Sequence, residues 1–264
     1  MTELNHILPP ESFRVLLIGD SCTDQYNIGT VDRLSPEAPV PVLKITETYD
    51  VKGMAANVCL NFANLGIGVD FITNTEEIVK SRYIDKRSGQ HMLRVDNDVE
   101  ISCWSGQLPD NTDQYDAVVI SDYNKGFLSY ENIEHIIQTV DCPVFIDTKK
   151  QDLSRFSANH CYVKINETEY KNRYSIPQNL IVTLGDQGAM LKHDNTEFIY
   201  ETKSVEVMDV CGCGDTFLSA LTVQFLFTKD IEKAILFANM AAGLTVQHRG
   251  NYAPTYNEIL NAGR

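Results

Sequence analysis

The chain has 264 residues, 43% of them hydrophobic and 22% charged, a composition typical of a globular protein with a sizeable core. Its formal net charge of −14 argues against nucleic acid and anionic membranes as partners, because both attract basic surfaces. Seven cysteines without framework spacing, and no signal-like or membrane-spanning run, lead us to expect a cytoplasmic protein. Cys211 and Cys213 lack the second pair that a zinc site needs.

Five short apolar runs, each ending in a polar residue, predict the strands of a parallel sheet that is buried on both faces. Helical patterns at 55–66, 131–140 and 231–246 alternate with them, so the predicted fold is an α/β sheet flanked by helices. The five runs are VLLIGD (15–20), AVVISD (117–122), VFIDTK (144–149), YVKIN (162–166) and IVTLGD (181–186).

The polar residues that end these runs are expected to crowd one edge of the sheet, because the carboxyl ends of parallel strands meet there. Ligands of open α/β sheets bind beyond that edge. A single polar strand end is usually a turn residue, but five in series favour a binding site. The five are Asp20, Asp122, Asp147, Asn166 and Asp186.

A small β-flap, or lid, is predicted beside the main body from two stretches that do not suit a central sheet. Residues 39–51 (PVPVLKITETYDV) alternate and contain prolines, as edge strands do. Residues 80–96 (KSRYIDKRSGQHMLRVD) predict two strands around a Ser88-Gly89 turn. We expect the flap to span about 24–50 and 80–103 of a single domain, 1–264, and an apolar face on it would suit a homodimer.

The stretch VMDVCGCGDTFLSALTVQFLF (207–227) places a glycine turn before an apolar helix. Glycines allow positive φ, and the N–H groups of Gly212, Cys213 and Gly214, with the helix dipole from about Asp215, form a site for an anion. Asp215 is then either a helix cap worth about 1 kcal/mol or the general base of a Mg²⁺-assisted phosphoryl transfer. Neither a Walker A loop nor a GxGxxG fingerprint is present.

The segment DVCGCGDTF resembles the DTxGAGD signature of the ribokinase-like (PfkB) carbohydrate kinases. Other segments resemble motifs of that family in the same order: GMAANVCLNFANLG (53–66), NETE (166–169), VTLGDQG (182–188) and FANMAAGLTV (237–246). The resemblance implies a ribokinase-like fold and a phosphotransferase with an alcohol group as acceptor. It also implies ATP and Mg²⁺ as cofactors, with a monovalent cation as a further option.

Roles for individual residues follow from the same resemblance. Gly212, Cys213, Gly214 and Asp215 correspond to the catalytic turn. Asn166 and Glu169 correspond to residues that order Mg²⁺, through water because Mg²⁺ keeps much of its hydration shell. The resemblance assigns the sugar to Asp20, Asp24, Gly53 and Asn57, and ATP to Asn166, Thr183, Gly185, Gly188 and Asn239. A helix cap is the alternative for Asn57, and a solvent-facing side chain is the alternative for Asn239. Lys149, at a strand end, is a further candidate for the phosphate groups of ATP.

Within the family, DRLSPEAPVPVLK, SRYIDKRSGQHMLRVD, VISDYNKGFLS and FIDTKK are most similar to the heptose 7-phosphate kinases, the kinase half of bifunctional heptose kinase/adenylyltransferases. This implies phosphorylation of the anomeric hydroxyl of D-glycero-β-D-manno-heptose 7-phosphate, on the route to ADP-heptose. The far phosphate of such a sugar needs a cation. Arg82, Arg94 and Lys125 are the candidates, with a merely solvated side chain as the alternative for each.

Four features depart from the family pattern. Met54 and Cys213 stand where the family usually has glycine and alanine. A helix and a strand expected after VDFITN are missing, and NETEY reaches LIVTLGD with little room for the usual helix. The alternatives are therefore a kinase of another sugar phosphate or nucleoside, and a non-catalytic protein that binds a sugar or nucleotide on the same scaffold.

Overall fold

The computed structural model describes residues 13–193 and 196–263, which form twelve strands and six α-helices. The strands are β1 (Arg14–Gly19), β2 (Ser21–Leu34), β3 (Pro41–Met54), β4 (Gly68–Thr73), β5 (Val79–Asp85), β6 (His91–Asn97), β7 (Ala117–Asp122), β8 (Val144–Thr148), β9 (Cys161–Asn166), β10 (Asn179–Thr183), β11 (Ala189–His193) and β12 (Thr196–Tyr200). The helices are α1 (Ala55–Asn64), α2 (Tyr130–Thr139), α3 (Glu167–Asn172), α4 (Cys213–Thr228), α5 (Ile231–Thr245) and α6 (Tyr256–Ala262).

The main sheet has eight strands within the described ranges, in the order β12-β11-β10-β9-β8-β7-β1-β4. The strands from β10 to β4 pair in parallel, and β11 and β12 are added antiparallel at one end. The predicted fold class, a mainly parallel sheet flanked by helices with a small β-flap, is confirmed. The run IVTLGD ends three residues earlier than predicted: β10 ends at Thr183, and Gly185–Gln187 form a short 3₁₀ turn.

Helices cover both faces of the main sheet. Successive residues of a strand point to opposite sides, so a continuous apolar run places apolar side chains on both faces, and each face packs against helices. In β1, Val15 and Leu17 pack with residues of α1, α4 and α5, whereas Leu16 and Ile18 pack with residues of α2. Helix α4 is buried from Asp215 to Leu226, so packing fixes its position against the sheet. Among the helices of the described ranges, none has the length and hydrophobicity needed to cross a bilayer.

The second sheet, which we call the lid sheet, has the order β3-β2-β5-β6. Strand β2 begins two residues after β1 ends, and β3 runs directly into α1, so the lid sheet is attached at the edge of the main sheet where the predicted polar residues lie. The missing helix and strand correspond to residues 74–78, which connect β4 to β5 with neither element. The other shortened segment contains only the six-residue helix α3.

Candidate active site

The glycine turn before α4 has the conformation that its sequence predicts. Gly212 is left-handed, with φ 75°, and the helix begins at Cys213, two residues before the predicted start at Asp215. A Cβ on Gly212 would lie 2.9 Å from Asn57 Nδ2 and 3.1 Å from Asn251 Oδ1. Both the backbone angle and the close side chains therefore require glycine at this position.

Asp215 lies in the first turn of α4, but its carboxylate does not cap the helix. Its Oδ2 accepts a hydrogen bond from Asn57 Nδ2 at 2.8 Å, and its Oδ1 accepts one from the Tyr123 hydroxyl at 2.8 Å. Burial raises the pKa of Asp215 to about 6, although these two hydrogen bonds oppose the rise. A carboxylate with this pKa is mostly ionised at neutral pH and can accept a proton, as a general base must.

A buried ion pair supports the other side of the turn. Lys164, on β9, is 3% exposed, and its Nζ lies 2.7 Å from Asp147 Oδ2 and 3.4 Å from the carbonyl oxygen of Gly214. Burial alone would lower the pKa of Lys164, but the Asp147 charge and hydrogen bond raise it above its ordinary value. Lys164 is therefore a fixed positive charge beside the turn. A Cβ on Gly214 would lie 3.0 Å from this ammonium, so glycine permits the close approach.

The first of two cavities at this turn lies under the lid sheet, and we call it the lid cavity. Its polar and charged lining comes from the lid sheet, from the loop after β7 and from the turn. The lining residues are Asp24, Met54, Lys80, Arg82, Arg94, Tyr123, Cys211, Gly212, Asp215 and Asn251.

The three cations of the lid cavity differ in their partners. Arg82 Nη1 lies 2.5 Å from Asp24 Oδ1, and Arg94 makes two hydrogen bonds, of 2.6 and 2.9 Å, to the carboxylate of Asp96. Lys80 is 7% exposed, yet in the described part of the chain no carboxylate lies within salt-bridge distance of its Nζ. That Nζ lies 3.0 Å from Met54 Sδ and 5.5 Å from the centre of the Tyr123 ring. Lys80 thus has only weak protein partners for its charge.

Met54 has a backbone conformation that usually requires glycine. Its φ is 58° and its ψ −135°, and its side chain is 4% exposed at the start of α1. Met54 therefore keeps the positive φ expected for the glycine that the family usually has at this position. Holding a methionine in this conformation costs roughly 1–3 kcal/mol of backbone strain. The Met54 side chain fills part of the lid cavity, which narrows the space available to an acceptor.

Several predicted sugar-binding residues lie behind the lid cavity rather than in its wall. Asp20 is fully buried, and its carboxylate accepts hydrogen bonds from the backbone N–H groups of Tyr123 and Phe127, at 2.7 and 3.4 Å. Burial and the nearby Asp122 charge raise the pKa of Asp20. Asp20 therefore holds the loop after β7, which carries Tyr123.

Asn57, Gly53 and Lys125 are also outside the lining of the lid cavity. Asn57 is 1% exposed and is committed to Asp215. A Cβ on Gly53 would lie 2.6 Å from Asp24 Oδ2, so this glycine makes room for a residue that does line the cavity. Lys125 Nζ lies 2.6 Å from Asp98 Oδ2 at the surface. Among the predicted acceptor residues, the structure places Asp24, Arg82 and Arg94 in the cavity wall.

The second cavity, which we call the valine cavity, opens on the opposite side of the turn. Its walls are the segment before the turn, the loop after β10 and one face of α5, and they are mainly apolar. Four of the predicted ATP-binding residues line it: Thr183, Gly185, Gly188 and Asn239. The remaining lining residues are Asp186, Thr202, Lys203, Ser204, Val205, Val207, Val210, Cys213, Gly214, Phe217, Ala242, Gly243 and Val246.

Two comparisons of sequence place the chain among known proteins. The family model described as "pfkB family carbohydrate kinase" matches residues 128–258, which include the glycine turn. The chain contains a carbohydrate kinase domain of the pfkB family. The predicted enzyme class, a phosphotransferase with an alcohol group as acceptor, is confirmed at the level of this family, which implies the use of ATP.

Curated relatives of this kinase include proteins named bifunctional protein HldE. The one from Nitratiruptor sp. is 31% identical, over 93% of this chain and 64% of that protein. The one from Sulfurimonas denitrificans is 30% identical, over 93% of this chain and 63% of that protein. The chain thus spans less than two thirds of the length of these relatives.

Solved structures show the same fold at low sequence identity. The ribokinase of Arabidopsis thaliana, solved with ribose and ATP, has a TM-score of 0.73 at 16% identity, with 95% of this chain and 98% of that chain covered. The ribokinase of Thermotoga maritima has a TM-score of 0.71 at 18% identity, with 95% and 99% covered. The predicted ribokinase-like fold is therefore confirmed.

The residues predicted to order Mg²⁺ fit a hydrated ion rather than an all-protein metal cage. Asn166 Oδ1 accepts a hydrogen bond from the Glu169 N–H at 2.9 Å, Glu169 Oε2 accepts one from the Asn166 N–H at 2.7 Å, and Glu169 Oε1 pairs with Lys149. Residues 13–193 and 196–263 contain no group of three or more His, Cys, Asp or Glu side chains placed to hold a metal. This donor set suits Mg²⁺ that keeps its water and takes its other ligands from phosphate.

Sequence reasoning missed four residues of this kinase that contact the site. Tyr123, Lys80, Lys164 and Asn251 all have polar atoms at the turn or in the lid cavity. A signal was available for Lys164, because a lysine inside an apolar strand run needs a buried partner. Tyr123 lies within the segment VISDYNKGFLS, but an exposed aromatic would look the same in sequence. Lys80 and Asn251 had no local signal.

Proposed function

We propose that this protein is an ATP-dependent kinase that phosphorylates the anomeric hydroxyl of D-glycero-β-D-manno-heptose 7-phosphate to the 1,7-bisphosphate. One observation carries the proposal: the glycine turn is a wall shared by both cavities. Cys211, Gly212 and Asp215 line the lid cavity, whereas Cys213 and Gly214 line the valine cavity. A phosphoryl group that passes from a nucleotide in the valine cavity to a sugar in the lid cavity would cross the N-terminus of α4.

The chemistry follows from the groups at that crossing. The acceptor hydroxyl gives its proton to the Asp215 carboxylate, its oxygen bonds to the γ-phosphorus of ATP, and the bond from that phosphorus to the bridging oxygen breaks to release ADP. Backbone N–H groups at the start of α4 and the Lys164 ammonium stabilise the charge of the phosphoryl group. Burial and the Asp215 charge raise the pKa of Tyr123 well above its ordinary value, so its hydroxyl keeps its proton and orients the base.

Glu169, Asn166 and Lys149 would hold hydrated Mg²⁺ and phosphate oxygens on the nucleotide side. When bound, the ion would neutralise part of the negative charge of the phosphates. The apolar lining of the valine cavity, from Val205, Val207 and other small side chains, suits the faces of an adenine ring. The ribokinase of Arabidopsis thaliana, whose structure was solved with ribose and ATP, supports the assignment of the two cavities to a sugar and a nucleotide.

The charge of the lid cavity supports a phosphorylated acceptor. Arg82 and Arg94 already have carboxylate partners, whereas Lys80 is buried without one in residues 13–193 and 196–263. A buried, unpaired ammonium costs several kcal/mol, so an anion that enters with the substrate would bind there with a large gain. We therefore assign the sugar's far phosphate first to Lys80, with Arg94 at the rim as a second cation. The similarity to HldE proteins over 93–94% of the chain supports a heptose phosphate in particular.

The proposal extends to the protein's location and assembly. We propose that it acts in the cytoplasm, where its nucleotide and sugar phosphate would be found, and that it forms a homodimer through the lid sheet. The lid sheet exposes apolar side chains, including Leu34 at 64% and Leu93 at 57%. Sedimentation equilibrium should give twice the monomer mass, and Leu93→Glu should reduce it to the monomer mass. A wild-type monomer at micromolar concentration would contradict the dimer.

Met54 favours a second candidate, a kinase of a smaller sugar phosphate, because its side chain narrows the lid cavity. The test is ADP release measured across a panel: heptose 7-phosphate, the unphosphorylated heptose, fructose 6-phosphate, ribose and adenosine. Heptose 7-phosphate should give the highest kcat/KM. A higher value for another sugar phosphate would support the second candidate. ATP binding without ADP release from any acceptor would indicate the non-catalytic alternative.

A further inference from the structure

Asn251 lines the lid cavity and carries a buried side-chain oxygen that has no hydrogen-bond partner among the described residues. It lies in the loop between α5 and α6, and its Nδ2 donates a hydrogen bond of 2.8 Å to the backbone carbonyl of Lys52 on the lid sheet. A carbonyl only accepts, so the Asn251 amide has one possible orientation, with Oδ1 directed away from Lys52. This Oδ1 is buried, and no donor in the described ranges reaches it.

The position of this oxygen is close to the reacting groups. Asn251 lines the lid cavity together with Gly212 and Asp215, and its Oδ1 would lie 3.1 Å from a Cβ on Gly212. A buried acceptor without a donor costs about 1–3 kcal/mol, so the arrangement is favourable only when a donor occupies the cavity. The hydroxyl groups of a sugar are such donors, whereas phosphate at neutral pH offers mainly acceptors.

The geometry points to Asn251 as a specificity-determining residue that accepts a hydrogen bond from an acceptor-sugar hydroxyl other than the one that is phosphorylated. This inference rests on the proposed function and deepens it, because it identifies which part of the sugar the C-terminal loop recognises. A site built to bind a hydroxyl rejects the analogue that lacks it, since its own oxygen is then left unpaired. Asn251 therefore discriminates between sugars by the presence of one hydroxyl group, while Lys80 binds the anionic end of the sugar.

The alternative is that Asn251 only anchors its loop to the lid sheet. Asn64 provides a matched control, because its Nδ2 donates to the backbone carbonyl of Ala253 in the same loop, at 2.7 Å, and it does not line the cavity. Asn64→Ala removes a loop anchor without removing an acceptor from the lid cavity. A purely structural role predicts similar behaviour for Asn251→Ala and Asn64→Ala.

Isothermal titration calorimetry tests the inference with heptose 7-phosphate and its monodeoxy analogues. Wild-type protein should bind one analogue, other than the 1-deoxy compound, at least tenfold more weakly than the parent sugar. Asn251→Ala should bind that analogue and the parent within about twofold of each other, because the acceptor is gone. Asn64→Ala should keep the full discrimination of the wild type.

Two results would overturn the inference: a wild type that binds every monodeoxy analogue as well as the parent sugar, or discrimination that persists in Asn251→Ala. The proposed function fails separately. If Asn251-dependent discrimination is found but no ADP is released, the kinase assignment is wrong and the hydroxyl-binding role stands. If wild-type protein binds none of these sugars, both are overturned.

Discussion

The two cavities that share the glycine turn differ in the chemistry of their walls. The valine cavity is lined mainly by apolar side chains and backbone, including Val205, Val207, Val210 and Val246. The lid cavity is lined mainly by charged and polar groups, among them Lys80, Asp215 and Asn251. The first suits a flat aromatic base held by shape and apolar contact, and the second suits a hydroxylated anion held by hydrogen bonds and charge.

This difference determines where substitutions should act. In an apolar cavity the binding free energy is divided among many residues, so each contributes little. A single hydrogen bond to a charged group contributes about 1.5–3 kcal/mol. Substitutions in the lid cavity should therefore change the rate and the choice of acceptor, and leave nucleotide binding nearly unchanged. The predictions below test that separation.

The largest effect is expected for Asp215→Asn. Asparagine keeps the size of the side chain but cannot accept the proton, so kcat should fall by roughly 10²–10⁴. ATP affinity, measured by calorimetry, should change far less, because in the proposed mechanism backbone N–H groups rather than the carboxylate contact the phosphates. Asp186→Asn, in the wall of the valine cavity, is the control and should keep near-normal kcat. Near-normal turnover by Asp215→Asn would remove Asp215 from the catalytic role.

Lys80→Met should raise KM for a phosphorylated sugar by roughly tenfold or more, since it removes a charged hydrogen bond. Its effect on the unphosphorylated sugar should be small. Arg94→Ala should have a weaker effect, because that guanidinium is already paired with Asp96. Lys86→Met, at an exposed position in the turn between β5 and β6, should leave the KM values of both sugars unchanged. Equal losses for both sugars in Lys80→Met would contradict the phosphate assignment.

Asp215 should also make the stability of the protein depend on pH. Its pKa is about 6 in the folded protein, above the ordinary value of 3.8 for an aspartate, so the folded state binds the proton more tightly. Protonation therefore stabilises the fold as pH falls through 6, and the ionised form is the less stable one above it. We expect the free energy of unfolding of Asp215→Asn, relative to that of the wild type, to be about 1–2 kcal/mol higher at pH 8 than at pH 5. Urea unfolding at the two pH values measures this difference. A difference in unfolding free energy between the two proteins that is the same at pH 5 and pH 8 would place the pKa of Asp215 near its ordinary value.

The smallest effect is expected for Tyr123→Phe. The Tyr123 hydroxyl donates to Asp215 and lowers the pKa of that carboxyl, so its loss should move the acid limb of kcat/KM above pH 6. The rate should fall several-fold near pH 6 and little at pH 8, where Asp215 is still ionised. Tyr115→Phe removes a comparable hydrogen bond, to Asp70, far from the turn and should leave the profile unchanged. If the acid limb of Tyr123→Phe falls at the same pH as that of the wild type, the Tyr123 hydroxyl does not lower the pKa of Asp215.

Much of the fold and one wall of the site could be predicted from the sequence because the signals are local. The buried strand runs, the glycine turn and Asp215 lie within segments of fewer than about twenty residues, where hydrophobic period and backbone requirements are readable. Asp20 and Asn57 were predicted to bind the sugar, but the sequence did not show that the Asp20 carboxylate accepts backbone hydrogen bonds or that Asn57 Nδ2 donates to Asp215.

The rest of the lid cavity depends on long-range contacts. Lys80 comes from a lid strand and Asn251 from the loop after α5, and only the folded arrangement brings them together with Asp215. Arg82 and Arg94, and not Lys80, were among the cations predicted for the far phosphate of the sugar. Their carboxylate partners, Asp24 and Asp96, distinguish them, and those pairs could not be predicted from residue spacing.

Transfer of label from [γ-³²P]ATP to heptose 7-phosphate tests the central claim most directly, because it follows the phosphoryl group from one cavity to the other. Wild-type protein should produce labelled heptose bisphosphate, and Asp215→Asn should produce it at least a hundredfold more slowly while binding ATP normally. Label that appears only in inorganic phosphate, or labelled sugar formed equally fast by Asp215→Asn, would contradict transfer across the turn with Asp215 as the base.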